Sequence, residues 1–374
     1  MKNLFSIFVC VNLLFTGLGC AQENPPKIEI SETQNYDYEA VVAGINIPWG
    51  MAFLSKDEML VTEKAGTLYH VKNGEKEVIS GLPEVYVRGQ GGLMDVALHP
   101  DFKNNKIIYL TMGSTLGGGG GGNTALYSAV LEELELHDVR LLYKAESNTT
   151  KGQHWGSRIV FDDEGHLFFT VGDRGNRDVN PQNISRDGGK VYRLNLDGSV
   201  PSDNPFTETE GVKTAIFSYG HRNPQGMTVH PETGAIWTHE HGPRGGDEIN
   251  VIEAGKNYGW PKITYGINYS GTSITDKVAM EGMEQPLYYW VPSIAPSGMT
   301  FLTSDVYEDW KGNLFVGSLS FQYLERLVIE NNKVVHREKI MDGIGRVRDV
   351  KEGPDGYLYV GVEGKGILRI TPKS

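Results

Sequence analysis

One short pattern recurs six times along the chain and limits the fold more than any other feature. A turn is followed by an apolar and aromatic strand at residues 56–62, 104–111, 163–171, 232–238, 310–317 and 354–361. The clearest copies read Glu164-Gly165-His166-Leu167-Phe168-Phe169, Lys311-Gly312-Asn313-Leu314-Phe315-Val316 and Asp355-Gly356-Tyr357-Leu358-Tyr359-Val360. Ahead of each copy lies a matching short strand, at 49–53, 93–100, 158–161, 226–231, 298–301 and 347–350. Alternating side chains bounded by turn residues predict β-hairpins, and glycine, at 47 of 374 residues, falls mostly at those turns. Hardly any stretch reads as a long amphipathic helix; residues 132–143 are the nearest candidate and read equally well as strand. Four-stranded units repeated every roughly 40 to 70 residues imply an all-β chain, a six-bladed β-propeller. The spacing widens between Arg158 and Gly298, which places long insertions between those blades. The unbroken run from Gly117 to Gly122 reads as a flexible loop.

A propeller converts this list of strands into a site. The innermost strand of every blade is entered at the same mouth of the central channel, so residues just ahead of these strands converge in space. That gathers Gln90, His154, Arg222, Asn223, Arg346 and Arg348 around one pocket. The hairpin of residues 158–171 adds Asp173, because its two strands run antiparallel and His154 and Asp173 flank it at the same end. An imidazole and a carboxylate meeting at one rim have the geometry of a general base with its orienting acid. The plainer reading is a capping histidine and an aspartate that closes the turn Gly172-Asp173-Arg174-Gly175.

The other motifs are read the same way. Gly89-Gln90-Gly91-Gly92 presents an amide on a loop where glycine allows close backbone approach, or is a plain tight turn. His221, Arg222, Asn223 and Gln225 crowd polar groups ahead of a strand, which is unusual unless they line a site. Residues 240–248 set backbone carbonyls beside carboxylates, which suits a hard cation such as calcium or else forms an acidic turn without metal. Arg346 and Arg348 share one strand face, as a clamp for a ligand with several carboxylates or as a solvated surface pair.

Composition narrows the setting. Residues 4–18 are mostly apolar after Lys2, too short to span a bilayer and fitting a secretory leader. The leader ends at Leu18-Gly19-Cys20, which resembles a lipoprotein cleavage site, so residues 1–20 are read as a signal peptide with Cys20 lipidated. Residues 21–39 read as a polar tether and residues 40–374 as the propeller, an exported protein of the periplasm or cell envelope. Both cysteines, Cys10 and Cys20, fall in the leader, so the body carries no disulfide, thiolate metal site or haem-attachment motif. A net charge of −12 with no basic stripe argues against nucleic acid. No second segment is apolar enough to cross a membrane, which leaves a lipid anchor as the one route to it.

Taken in order from about residue 40 to the C-terminus, these motifs resemble the soluble pyrroloquinoline-quinone-dependent sugar dehydrogenases, the glucose/sorbosone dehydrogenase family, and within it the aldose dehydrogenase branch. That family is a six-bladed propeller, in agreement with the repeats. The resemblance implies an exported quinoprotein that oxidises aldose sugars at C1 to lactones, with hydride passing to the quinone and electrons leaving to a separate acceptor. It implies His154 as general base, Asp173 as its orienting carboxylate, and Arg222 as the cation beside the quinone oxygen that gains charge. Gln90, Asn223, Arg346 and Arg348 match contacts to the cofactor. The carbonyls of Gly242 and Pro243 match those that hold a calcium ion against the quinone, and Glu248 and Tyr258 match further calcium ligands.

One departure stands out. Ser320, in Gly317-Ser318-Leu319-Ser320-Phe321, occupies the place of the family's fifth-blade lysine. Losing a charge-assisted contact there costs about 1.5–3 kcal/mol, so the resemblance implies weaker quinone binding, restored by lysine at 320. Two other readings stay open on the residues alone. One is a calcium-dependent propeller lactonase, which leaves the arginine pair without a role. The other is a propeller that binds a sugar or a partner without chemistry, which leaves the base, its orienter and the cation without one.

Overall fold

The computed structural model describes residues 27, 29–30 and 36–373. The leader with Cys10 and Cys20, and most of the tether, lie outside the described residues. The described chain forms six sheets, each a four-stranded antiparallel unit, with one short extra strand, Glu29–Ile30, alongside the fifth. The first strands of the blades are Pro48–Ser55, Leu93–Leu98, Ile159–Phe161, Pro224–Val229, Pro296–Phe301 and Val347–Glu352. They lie against one another around a ring, which makes them the channel wall. The all-β, six-bladed reading therefore holds.

The six sequence repeats are the second strands: Glu58–Glu63, Ile107–Ser114, His166–Val171, Ile236–Glu240, Leu314–Ser318 and Leu358–Val362. Their long runs of buried residues follow from burial on both faces between neighbouring blades. Between blades four and five, for example, Trp237, Trp290, Met299, Phe301, Leu314 and Val316 pack as one cluster. Burying a large apolar side chain contributes about 1.5–3 kcal/mol, so these inter-blade layers carry the stability that disulfides do not.

One open reading is settled as strand and two expectations are corrected. The nearest helix candidate is an antiparallel hairpin of Asn123–Glu132 and Glu135–Lys144, the outer half of blade two. The long insertions are not between blades but inside blades three and four, at residues 172–189, 196–215 and 253–287. Inner strands must follow one another around the ring, so extra length is accommodated between strands of one sheet. Residues 36–39, grouped by composition with the tether, belong to the strand Tyr36–Val42, the outer strand of blade six. This strand pairs with the C-terminal Gly366–Pro372 and so closes the ring with the two ends of the chain.

Inside the channel, Arg158 ties the blades together. Its Nη1 lies 3.1 Å from Asp95 Oδ1 and 3.0 Å from Asp349 Oδ1, and its Nε donates to the Gln225 carbonyl at 3.1 Å. The guanidinium also stacks over Trp49, 4.5 Å from the ring centre. Asp95 accepts from Ile159 N at 2.8 Å and Asp349 from Met51 N at 3.1 Å. Five of the six blades thus meet at one buried ion cluster, whose members are no more than 1% exposed.

Candidate active site

Two topological positions face the mouth of the channel. One is the entry to each first strand; the other is the exit from each second strand, because the two run antiparallel. His154 comes from the first position in blade three and Asp173 from the second. His154 Nδ1 lies 2.6 Å from Asp173 Oδ1, as the hairpin reading expects. His154 adopts φ +58°, a left-handed backbone that costs a non-glycine residue energy and is met mostly where surroundings enforce it. Its surroundings do so: its N–H donates to Gln90 Oε1 at 2.7 Å, and Trp155 beside it is fully buried under the Arg174 guanidinium. Arg174 in turn donates to the carbonyls of Lys151 and Gln153, so it clamps the loop that delivers the imidazole.

Asp173 is more fully held than the sequence suggested. Its Oδ2 accepts from Trp260 Nε1 at 2.9 Å, and its Oδ1 also accepts from Gly175 N at 2.7 Å. Asn180 Nδ2 caps its carbonyl at 3.0 Å. The loop that follows is braced by buried Lys190, whose ammonium donates to the carbonyls of Asn180 and Gly188 at 2.7 Å each. Burial pushes that ammonium down to about 7 against the pull of Asp187 and Asp173. Burial alone would raise the Asp173 carboxyl, but His154, Arg222 and the Trp260 N–H together hold it below the ordinary carboxylate range. The His154 imidazole is also lowered, by burial first and Arg222 second, with Asp173 pulling the other way. A neutral imidazole whose Nδ1–H is given to a carboxylate keeps Nε2 as a proton acceptor.

His154, Asp173, Arg222, Pro243 and Trp260 line one cleft of about 340 Å³. Arg222 lies over Trp260, 5.4 Å from the ring, and its Nη1 donates to Gly242 O at 2.7 Å and His241 O at 3.0 Å. Its own N–H is fixed by Glu240, which also pairs with buried His221 at 2.9 Å. Asn223 is fully buried; its Oδ1 accepts from Gly156 N at 3.1 Å while its Nδ2 has no partner among the described residues. An unanswered buried amide donor is expensive in a finished core and suits a site that receives a carbonyl-bearing ligand.

The second group sits beside this cleft. Arg346 and Arg348 do point to the same side, but Glu363, at the exit of the second strand of blade six, already accepts from both, at 2.8 and 2.6 Å. Arg348 also reaches Gln225 Oε1 at 3.4 Å, and Arg346 reaches the Leu319 carbonyl at 3.0 Å, next to exposed Ser320. The clamp read from sequence is therefore a triad with net charge of about plus one, because one carboxylate faces two guanidiniums.

The predicted metal ligands divide. Asp247 accepts from Gly242 N at 2.8 Å and so fixes the turn that carries the Gly242 and Pro243 carbonyls. The Gly242 oxygen spends one lone pair on Arg222, which leaves one for a cation. Glu248 stands opposite Glu240 across two strands, and a single amide, Asn250 Nδ2, serves both carboxylates at 3.2 and 3.3 Å. Burial, and then Glu240, push the Glu248 carboxyl well above its ordinary range, so this pair lacks positive charge. The Tyr258 hydroxyl is spent on Val251 O at 2.6 Å and Glu253 N at 2.9 Å, which leaves its carbonyl as the group able to ligate. The Gly242 and Pro243 carbonyls are donors that fit an oxygen-seeking cation.

Comparison with known proteins places this geometry among relatives. A family model described as Glucose / Sorbosone dehydrogenase matches residues 45–369. The chain is 41% identical over 336 residues to the aldose sugar dehydrogenase YliI of Escherichia coli strain K12, covering 87% of this chain and 90% of that protein. It is 31% identical over 276 residues to quinoprotein glucose dehydrogenase B of Acinetobacter calcoaceticus, covering 64% of this chain and 55% of that one. The crystal structure of the soluble aldose sugar dehydrogenase from Escherichia coli, in its apo form, superposes with a TM-score of 0.87 at 40% identity, covering 90% of this chain and 100% of that chain.

Proposed function

This chain belongs to the glucose/sorbosone dehydrogenase family, and we propose that it oxidises aldose sugars at C1 to lactones with pyrroloquinoline quinone and calcium as cofactors. When bound, the quinone supplies a two-electron hydride acceptor and the calcium ion a Lewis acid beside it. The observation that carries the reading is the His154–Asp173 pair, 2.6 Å apart in a cleft shared with Arg222. His154 Nε2 takes the proton of the anomeric hydroxyl while Asp173 holds the ring and favours the imidazolium that forms. His154, Arg222 and the Trp260 N–H hold the Asp173 carboxyl below its ordinary range against burial. Arg222, held by carbonyls rather than by a carboxylate, keeps its charge available for an oxygen that becomes negative during reaction.

Gln90, Asn223, Arg346 and Arg348 would hold the quinone, the unpartnered Asn223 Nδ2 by donating to one of its carbonyl oxygens. The carbonyls of Gly242 and Pro243 would hold the calcium ion, with Glu248 and Tyr258 as further calcium ligands. Residues 1–20 would direct export, with a lipid on Cys20 as the membrane tether, and a separate acceptor would collect the electrons.

Calorimetric titration of purified apoprotein with pyrroloquinoline quinone, in excess calcium and then in chelator, tests this reading. Calcium-dependent binding, followed by aldose-dependent reduction of a dye, is the expected result. A folded protein that binds no quinone in either condition overturns it.

A further inference from the structure

On the blade-one side the mouth holds a cation that the cofactor reading has not used. Lys64 directly follows the second strand of blade one, Glu58–Glu63, and Ser320 lies two residues past the second strand of blade five, Leu314–Ser318. By the exit rule that places Asp173, Gly242 and Glu363, both lie at the mouth. Lys64 Nζ donates to the Gly89 carbonyl at 2.7 Å, and the next residue, Gln90, is the one whose amide holds the His154 backbone. The backbone is shaped around this lysine. Gly92, which opens the neighbouring strand, has no room for a side chain, since a Cβ there would lie 1.8 Å from the Lys64 oxygen and 3.0 Å from its Cγ.

Charge bookkeeping at the mouth points outward. Arg346 and Arg348 share Glu363, whereas Lys64 is half-buried and bonded to a neutral carbonyl. Three cations from blades one and six therefore face one carboxylate. Burial, and then Arg348, disfavour the Lys64 charge, and Glu363 favours it. A protein of net charge −12 that gathers uncompensated positive charge at its channel mouth has built an anion site there.

Building on the proposed quinone, we infer that Lys64 binds a cofactor carboxylate and replaces the ammonium that Ser320 cannot supply. The ligand class is a planar carbonyl compound bearing several carboxylates. Blade one then does what a fifth-blade lysine would do from across the mouth, and the weaker binding implied by Ser320 does not follow.

A double-mutant cycle tests this, read as pyrroloquinoline quinone binding through quenching of intrinsic tryptophan fluorescence, with the urea midpoint of each variant as the check on folding. Lys64→Gln should weaken binding about 10- to 150-fold, the range for one charge-assisted contact, and Lys64→Arg should retain most of it. Ser320→Lys should change the parent less than threefold yet restore most of the affinity lost in Lys64→Gln. Lys64→Gln that folds and binds within twofold of the parent overturns the inference while leaving the cofactor reading intact. A Ser320→Lys gain of equal size in both backgrounds also overturns it, because the two positions would then act independently. Absence of quinone binding in the parent itself removes the premise and the inference together.

Discussion

Two charged clusters are set on the same six inner strands, and they are built on opposite terms. In the channel, Arg158 lies between Asp95 and Asp349, with every member sealed from water. At the mouth, Arg222 has two carbonyls, Arg346 and Arg348 have one carboxylate between them, and Asn223 Nδ2 has nothing. The channel cluster sets one guanidinium between two carboxylates, with Arg158 Nη2 left without a hydrogen-bond partner among the described residues, and joins five blades; it closes the fold. The mouth leaves positive charge and a buried donor unanswered, which destabilises the empty fold and is repaid only when something binds. The sign and exposure of the residual charge separate the two: the sealed channel cluster is left about one negative, and the mouth about one positive.

That contrast is most open to attack through one residue from each cluster. His154→Gln should lower turnover about 100- to 10,000-fold, the usual contribution of a general base, while the urea midpoint stays within error of the parent. Arg158→Met should do the reverse. Removing one partner of a buried ion cluster costs about 3–5 kcal/mol, so the unfolding midpoint should fall sharply, and Asp349→Asn added to it should recover part of the loss. A stable Arg158→Met protein would mean that the channel cluster is not a closure device.

Arg222 sharpens the comparison because it is a buried arginine without a carboxylate partner. Arg222→Gln leaves Asp173 its bonds from His154, Trp260 and Gly175, so it should lose less stability than Arg158→Met but cost turnover about 100-fold, as for one electrostatic donor aimed at developing charge. It should also move the pH profile. Arg222 helps to keep the His154 imidazole below the ordinary value near 6.5. Without it the imidazole holds its proton to higher pH, and the acid limb of kcat/KM should shift upward. An unmoved acid limb would mean that His154 is not the group titrating there.

Much of this site was legible because two propeller rules act on sequence alone. The entries to the first strands gave Gln90, His154, Arg222, Asn223, Arg346 and Arg348, and the repeats located those strands. The exits from the second strands carry as much chemistry, yet only Asp173 was found by that route, through its hairpin with His154. Lys64 and Glu363 sit at the same kind of position and look like ordinary surface charges until the ring closes. Trp260 was out of reach for a different reason: it comes from the insertion 253–287, which has no period to read, and its indole meets Asp173 from another blade. The misplaced insertions have a similar origin, since spacing between repeats cannot tell a gap between blades from a gap within one.

Trp260 supplies the smallest expected effect and the finest test of how far the mouth depends on its supports. Trp260→Phe keeps the ring and removes one N–H from Asp173 Oδ2, a net contribution of about 0.5–1.5 kcal/mol, so kcat/KM should fall roughly 2- to 13-fold. The same bond helps to hold the Asp173 carboxyl below its ordinary range. A depressed carboxyl stabilises the fold above its unfolded pKa, and that stability is lost as pH falls through the folded value. Without the indole donor the folded value rises, so acid unfolding followed by circular dichroism should begin at higher pH than in the parent. An unchanged acid midpoint alongside reduced turnover would place the indole's role on the ligand rather than on Asp173. The mouth would then be held from the blade-three side by Asn180, Gly175 and Lys190 alone.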